Sequence, residues 1–126
     1  MARILVVDDD PVLRGALRVV LEAAGYDVME AAHGDAALRV YGERGADLVL
    51  VDLFMPERDG LQVIRALRAA IPRPQIVAMS GGGRFGQIEV LGAAAAFGAA
   101  RTLLKPFEPC DLLAAIRELL GGRGPQ

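Results

Sequence analysis

Four short, nearly continuous apolar runs punctuate the chain: Ile4-Leu5-Val6-Val7, Leu48-Val49-Leu50-Val51, Ile76-Val77-Ala78-Met79 and Thr102-Leu103-Leu104. A strand with one wet face alternates apolar and polar residues, whereas a strand covered on both faces does not, so these runs predict a parallel sheet enclosed by helices. A weaker fifth run, Tyr26 to Met29, follows Gly25. Between the runs the apolar positions change to helical spacing. Leu13, Leu17, Val20 and Leu21 share one face of a helix that Pro11 can open and Gly25 can close. Leu61, Ile64 and Leu67 form a second stripe, and Leu112, Leu113, Ile116, Leu119 and Leu120 a third that stops at Gly121-Gly122. Ala36, Leu38 and Tyr41 mark a shorter helix, and the alanine-rich stretch from Ile88 to Phe97 is read as another, weakened by Gly92. Strand and helix alternate five times, the pattern of an α/β doubly wound fold whose right-handed crossovers place helices on both faces of the sheet.

The 126 residues fit one domain, read as residues 1–121 with 122–126 as a short tail or linker stub. A composition of 53 % hydrophobic and 24 % charged residues is globular rather than disordered. A formal net charge of −2 without any basic run gives no footprint for phosphate backbones, so no direct contact with nucleic acid is expected. No segment approaches the roughly 20 apolar residues that span a bilayer, and the run after Met1-Ala2-Arg3 is too short for a signal peptide. A cytoplasmic location without membrane contact is the expectation. The single cysteine, Cys110, excludes an intrachain disulfide and any cysteine-based zinc cluster, and reads as a small apolar residue at a helix start. His33, before Gly34, reads as a loop residue with no catalytic role, since one histidine makes no metal cluster.

The chemistry lies at the strand ends. Asp8, Asp9 and Asp10 follow the first run, Asp52 the third, Ser80 the fourth and Lys105 the last. In an open parallel sheet these carboxyl ends form one rim, where ligands bind near the point at which strand order reverses. Carboxylates gathered there repel one another unless a proton or a cation compensates. Oxygen donors with neither histidine nor cysteine nearby favour a hard divalent ion, Mg²⁺ or Mn²⁺, whose shell is completed by water and phosphate. Lys105 offers a compact positive charge and Ser80 a hydroxyl donor. Aspartate can be a nucleophile that forms an aspartyl phosphate, and in-line phosphoryl transfer is catalysed mainly by positioning and charge neutralisation. Asp52, alone at its strand end, is the candidate acceptor. Each part has a plainer reading. Asp8-Asp9-Asp10-Pro11 could serve only to cap a helix, Lys105-Pro106 could be an ordinary strand exit, and Ser80-Gly81-Gly82-Gly83 could be a turn. The last is no Walker loop, because no Gly-Lys-Ser/Thr follows. Their coincidence at four strand ends of one chain favours a single site.

From Arg3 to Leu120 the chain resembles a response regulator receiver domain. The resemblance is carried by Ile4-Leu5-Val6-Val7-Asp8-Asp9-Asp10-Pro11, Asp52-Leu53-Phe54-Met55-Pro56 with Asp59-Gly60, Ala78-Met79-Ser80-Gly81 and Lys105-Pro106-Phe107. It implies a flavodoxin-like, five-stranded parallel sheet of order 2-1-3-4-5, and a signalling switch rather than an enzyme. Asp52 would take a phosphoryl group from the phosphohistidine of a histidine kinase or histidine phosphotransfer protein. Asp8 and Asp9, Asp9 the more direct ligand, would bind the metal with Asp52 and the backbone carbonyl of Phe54. Ser80 and the amide of Gly81 would hold phosphoryl oxygens, with Lys105 on their other side. The new dianion would draw the Ser80 hydroxyl inward together with the loop that follows the fourth strand. The face made by the fourth helix, fifth strand and fifth helix would then be read by a downstream output protein or an effector domain lost from this chain.

Three departures from the family pattern stand out. Thr102 occupies the position, three before the lysine, where relatives often carry tyrosine or phenylalanine, so the aromatic rotamer change of switching is absent. Gly81, Gly82, Gly83 and Gly86 leave the loop after the fourth run almost free of side chains, and it is expected to be mobile at rest. Phe54, two residues after the acceptor, is apolar where many relatives are polar. Two other readings compete with a phospho-accepting receiver. A Mg²⁺-dependent phosphatase of the aspartyl-phosphate type, with Asp8 as nucleophile, leaves the Asp52–Pro56 motif unexplained and has no room for a cap domain. A receiver-like binding module that takes no phosphate leaves the intact acids, hydroxyl and lysine without a purpose. The Phe54 ring is expected to shield the acceptor from water and make the phosphorylated form long-lived. Phe54→Asn should therefore shed its phosphate faster in a label-loss time course, and an unchanged rate would remove the idea.

Overall fold

A computed structural model of the chain describes residues 2–53, 60–71, 73–80 and 98–121. Each apolar run forms a strand, and the first three bury consecutive branched side chains as a position covered on both faces allows, whereas the run Thr102-Leu103-Leu104 is only partly buried, with Leu104 48 % exposed at the sheet edge. The elements are β1 (Arg3–Val7), α1 (Pro11–Ala23), β2 (Asp27–Ala31), α2 (Gly34–Arg44), β3 (Leu48–Asp52), α3 (Gly60–Arg68), β4 (Gln75–Ser80), β5 (Arg101–Leu104) and α4 (Pro109–Leu119). The strands make one parallel five-stranded sheet of order β2-β1-β3-β4-β5. The order reverses between β1 and β3, the reversal expected of a doubly wound sheet. The helix expected between Ile88 and Phe97 and the tail 122–126 lie outside the described residues.

Strand alternation divides the core in two. Ile4, Val6, Leu48, Leu50, Val77 and Met79 pack with Leu17 and Leu21 of α1 and Leu112 and Ile116 of α4. Their neighbours Leu5, Val7, Val49, Val51, Ile76 and Ala78 face the other way, against Ala37 of α2 and Val63, Ile64 and Leu67 of α3. Each of these side chains, removed from water, contributes of the order of 2 kcal/mol, less for alanine, before chain entropy is set against it. Among the described residues, two helices pack on each face.

The local signals at the helix ends explain their positions. Asp10 is the N-cap of α1; its carboxylate accepts from the amides of Val12 and Leu13 while Pro11 fills the first turn. Gly25 follows the α1 C-cap with φ +96°, a conformation that costs a residue with a side chain about 1 kcal/mol or more. His33, expected as a loop residue, is the N-cap of α2, and its Nδ1 accepts from the amide of Ala36. Cys110 lies at the start of α4, as expected, but is exposed rather than packed.

The second strand is displaced from its expected span, Tyr26 to Met29. It begins at Asp27 and continues through Glu30 to Ala31, in register with Arg3 to Val7 of β1. Glu30 breaks the apolar run in the sequence, yet the strand tolerates it because two arginines of α1 meet its carboxylate. Arg14 Nε donates to Oε1 at 2.8 Å and Arg18 Nη1 to Oε2 at 2.8 Å. These hydrogen bonds, that from Arg18 first and that from Arg14 second, hold the Glu30 carboxyl below its usual value of 4.5. A lowered folded value means that the unfolded chain binds the proton more readily, so the stabilisation is present above pH 4.5 and is lost as pH falls through the folded value. The carboxylate is partly exposed, which limits the effect to about 1 kcal/mol. Glu30→Gln is therefore expected to lower the urea midpoint at neutral pH and to flatten its fall in acid. Parallel acid limbs in the two proteins would contradict the assignment.

Candidate functional site

The acidic residues meet because β1 and β3 are neighbours with Val7 opposite Val51, which brings Asp8, just past β1, beside Asp52, the last residue of β3. Both are buried, Asp8 completely and Asp52 to within 6 %. The Asp8 amide extends the ladder to the carbonyl of Ala31 on β2 at 3.1 Å, so the backbone at this corner is fixed from both sides. Two such carboxylates need a counter-charge, and Lys105 supplies it. Its Nζ lies 3.0 Å from Asp8 Oδ2 and 3.4 Å from Asp52 Oδ2, on a side chain only 20 % exposed. Lys105 follows β5, and its amide donates to the carbonyl of Ser80 at 2.7 Å. Ser80 ends β4, completely buried, one register step beyond the Asp52–Met79 pair. Asp9 is exposed and completes a set of three: ligand oxygens of Asp8, Asp9 and Asp52 all lie within 4.8 Å of one another.

The plainer readings of the separate motifs thus divide by residue. Asp10 is a helix cap, whereas Asp8 and Asp9 face the cluster. Lys105 is a strand exit and also the cation of the site. Thr102 pairs with Ala78 inside the sheet and is half-buried, short of the rim by three residues. Phe54 and Gly81 lie outside the described residues, as do Met55, Pro56, Asp59, Gly82, Gly83 and Gly86.

Three carboxylates and one ammonium leave a formal deficit of two positive charges, the charge of one divalent ion. The donor set is all oxygen and partly open to solvent, which suits Mg²⁺ or Mn²⁺ and suits zinc poorly. The described residues fit such an ion.

Two residues contribute to this geometry in ways the sequence did not foretell: Gly60, quoted there only within the Asp59-Gly60 pair, and Arg14. Gly60, the first residue of α3, donates its amide to the carbonyl of Leu53 at 3.1 Å. A Cβ there would lie 2.4 Å from the Asp52 carbonyl oxygen and 2.6 Å from the Leu53 Cα, so only glycine lets the helix start against the backbone of Asp52. Arg14 donates through Nη1 to the carbonyl of Asp8 at 2.8 Å. The available signal was Glu30, an acid inside a strand, which requires a cation nearby.

With this geometry in view, comparison with known proteins is specific. The sequence profile of the response regulator receiver domain matches residues 4–117. The DNA-binding response regulator MtrA of Mycolicibacterium smegmatis is 41 % identical over 119 residues, which cover 94 % of this chain and 50 % of MtrA. Protein CcdB of Bacillus subtilis is 32 % identical over 122 residues, covering 96 % of this chain and 99 % of CcdB. The crystal structure of a response regulator receiver domain protein from Clostridium thermocellum superposes with a TM-score of 0.87 at 28 % identity, covering 95 % of this chain and 94 % of that one. The chain belongs to the response regulator receiver domain family of two-component systems. It is a signalling receiver domain, and it spans about half the length of the transcriptional regulators it matches. No described helix is long and apolar enough to cross a membrane.

Gly60→Ala is expected to push α3 away from β3, costing about 2 kcal/mol in urea denaturation and slowing phosphate labelling from acetyl phosphate. A variant with an unchanged midpoint and labelling rate would contradict the close approach at Asp52.

Proposed function

We propose that Asp52 accepts the phosphoryl group in a reaction assisted by Mg²⁺ or Mn²⁺, and that the domain, residues 1–121, works as a cytoplasmic switch fed by a histidine kinase or a histidine phosphotransfer protein. The observation that supports this most directly is the Lys105 ammonium shared by the buried Asp8 and Asp52 beside the exposed Asp9. In the transfer, an Asp52 carboxylate oxygen bonds to phosphorus as the bond from phosphorus to the donor's imidazole nitrogen breaks, and the imidazole departs with that electron pair. Asp8, Asp9 and Asp52, with the Phe54 carbonyl, would hold the ion, which when bound neutralises phosphoryl oxygens as the transfer proceeds. Asp8 is held for this task by Lys105 on Oδ2 and by the Asp10 amide on Oδ1 at 2.9 Å. Lys105 can move its charge from Asp52 to a phosphoryl oxygen without crossing the site, since both carboxylates are already within reach. Ser80 and the Gly81 amide would receive the remaining oxygens, and movement of Ser80 and its loop would pass the signal to an output protein. With Thr102 on β5, that signal runs without an aromatic rotamer change.

A protein donor must bring its histidine to this rim. Beside the rim, α1, the segment before α4 and the start of α4 form a groove of about 520 Å³, lined mainly by apolar residues including Leu13, Leu17, Phe107 and Pro109, with Asp10 and Lys105 at its edge. Val12, next to Leu13, is 81 % exposed. These features suit an apolar helix of the donor.

The phosphatase alternative makes Asp8 the nucleophile, but Asp8 is completely buried and bonded at both carboxylate oxygens. Incubation with acetyl phosphate and Mg²⁺ separates the readings. Asp52→Asn should lose covalent phosphate by mass spectrometry while Asp8→Asn keeps acid-labile label at a reduced rate. Label lost only from Asp8→Asn would establish the alternative, and wild-type protein that takes no label would leave a binding module.

A further inference from the structure

Asp9 is the exposed member of the acidic set, and its direction depends on the peptide that joins it to Asp8. A peptide unit is planar, so the Asp8 carbonyl and the Asp9 Cα move as one rigid group. That carbonyl accepts from Arg14 Nη1 at 2.8 Å, while the same guanidinium donates through Nε to Glu30 Oε1 at 2.8 Å. The second oxygen of Glu30 is taken by Arg18, which is also bonded to Glu22. Glu30 is thereby fixed on β2, and Arg14, only 18 % exposed, is stretched between two short hydrogen bonds rather than free to swing. On the far side of Asp9, the Asp10 amide is tied to Asp8 Oδ1 and the Asp10 carboxylate to the first turn of α1. Asp8 and Asp9 both give their carboxylates to the site, and the main chain of Asp9 is held on both sides.

We propose that Arg14 is a positioning residue for the metal site: anchored on Glu30, it clamps the Asp8–Asp9 peptide and so aims the Asp9 carboxylate at the space it shares with Asp8 and Asp52. Arg14 touches neither the ion nor the phosphoryl group. It acts through Asp9, and Glu30 acts through Arg14. The role requires a planar fork that satisfies a carboxylate and a carbonyl together, which a lysine ammonium on its flexible stem reproduces poorly. This assignment rests on the acceptor reading above.

The test is Mn²⁺ binding to the phosphate-free protein, read from the electron paramagnetic resonance signal of free Mn²⁺, with urea denaturation recorded for each variant. Arg14→Ala is expected to weaken Mn²⁺ binding by about tenfold, and Glu30→Gln in the same direction by less. Arg14→Lys should retain folding stability better than it retains Mn²⁺ affinity. Arg3→Ala is the control, because Arg3 also bridges an acid of β2 and a main-chain carbonyl, those of Asp27 and Arg44, at the opposite end of β1. It should lose stability and keep Mn²⁺ affinity within about twofold. Arg14→Ala with wild-type affinity would overturn the proposal, as would Arg3→Ala losing as much affinity as Arg14→Ala. Should Arg14→Ala fail to fold, Glu30→Gln decides, and unchanged affinity there overturns it. Wild-type protein that binds no Mn²⁺ would instead remove the acceptor reading itself, and this proposal with it.

Discussion

A buried carboxylate tolerates a second one beside it only if positive charge is close at hand, and here a single ammonium meets both Asp8 and Asp52. Removing either partner of such a cluster leaves a charge largely withdrawn from water and without its counter-charge, so the fold and the site are coupled at this corner. Lys105 comes from the far edge strand of the sheet, two strands away from β3. Its reach to Asp8 therefore depends on the register of β3, β4 and β5, a long-range condition that the whole sheet must satisfy.

The rest of the architecture supports that condition. Reversal of strand order at β1 and β3 opens the rim there, because the connections from these two strands leave toward opposite faces. The first, through Asp10 and Pro11, starts α1 under a side-chain cap, and the second returns to the sheet at Gly60 against the backbone of Asp52. Both helix starts are tight, so the acids are placed by main chain rather than by flexible side chains. Arg14 and Glu30 add a polar strut on the α1 side, where a strand interior would otherwise be apolar. A site that is negative at rest by formal charge is thus held open by covalent and hydrogen-bonded constraints, ready for a cation that restores the balance.

Much of this was legible in the sequence, and the reason lies in parallel sheets themselves. Strands buried on both faces must be continuous apolar runs, so their ends are visible as the first charged or hydroxyl residues after each run. Asp8, Asp9, Asp52, Ser80 and Lys105 were found in this way, and the pattern of runs alone gave the alternation of elements. Long-range partners were harder to find. Glu30 ended the apparent second strand in the sequence because the two arginines that neutralise it lie 12 and 16 residues away on a helix. Gly60 carries no local sign that its missing Cβ makes room for the carbonyl of Asp52 at the end of β3. His33 looked like loop because a histidine cap is a less common use of a residue usually read for its chemistry. The contacts of Glu30 and Gly60 join different elements, and periodicity within an element does not report them.

The central claim, that the carboxylates at the reversal point form one cation-binding unit balanced by Lys105, is tested most directly by the dependence of folding stability on Mg²⁺. An ion that binds only the folded site raises the urea midpoint in proportion to the logarithm of its concentration once that exceeds its dissociation constant. The account predicts this rise for the wild type and a nearly flat response for Asp9→Asn. A flat response in the wild type, or an equal rise in both proteins, would contradict it.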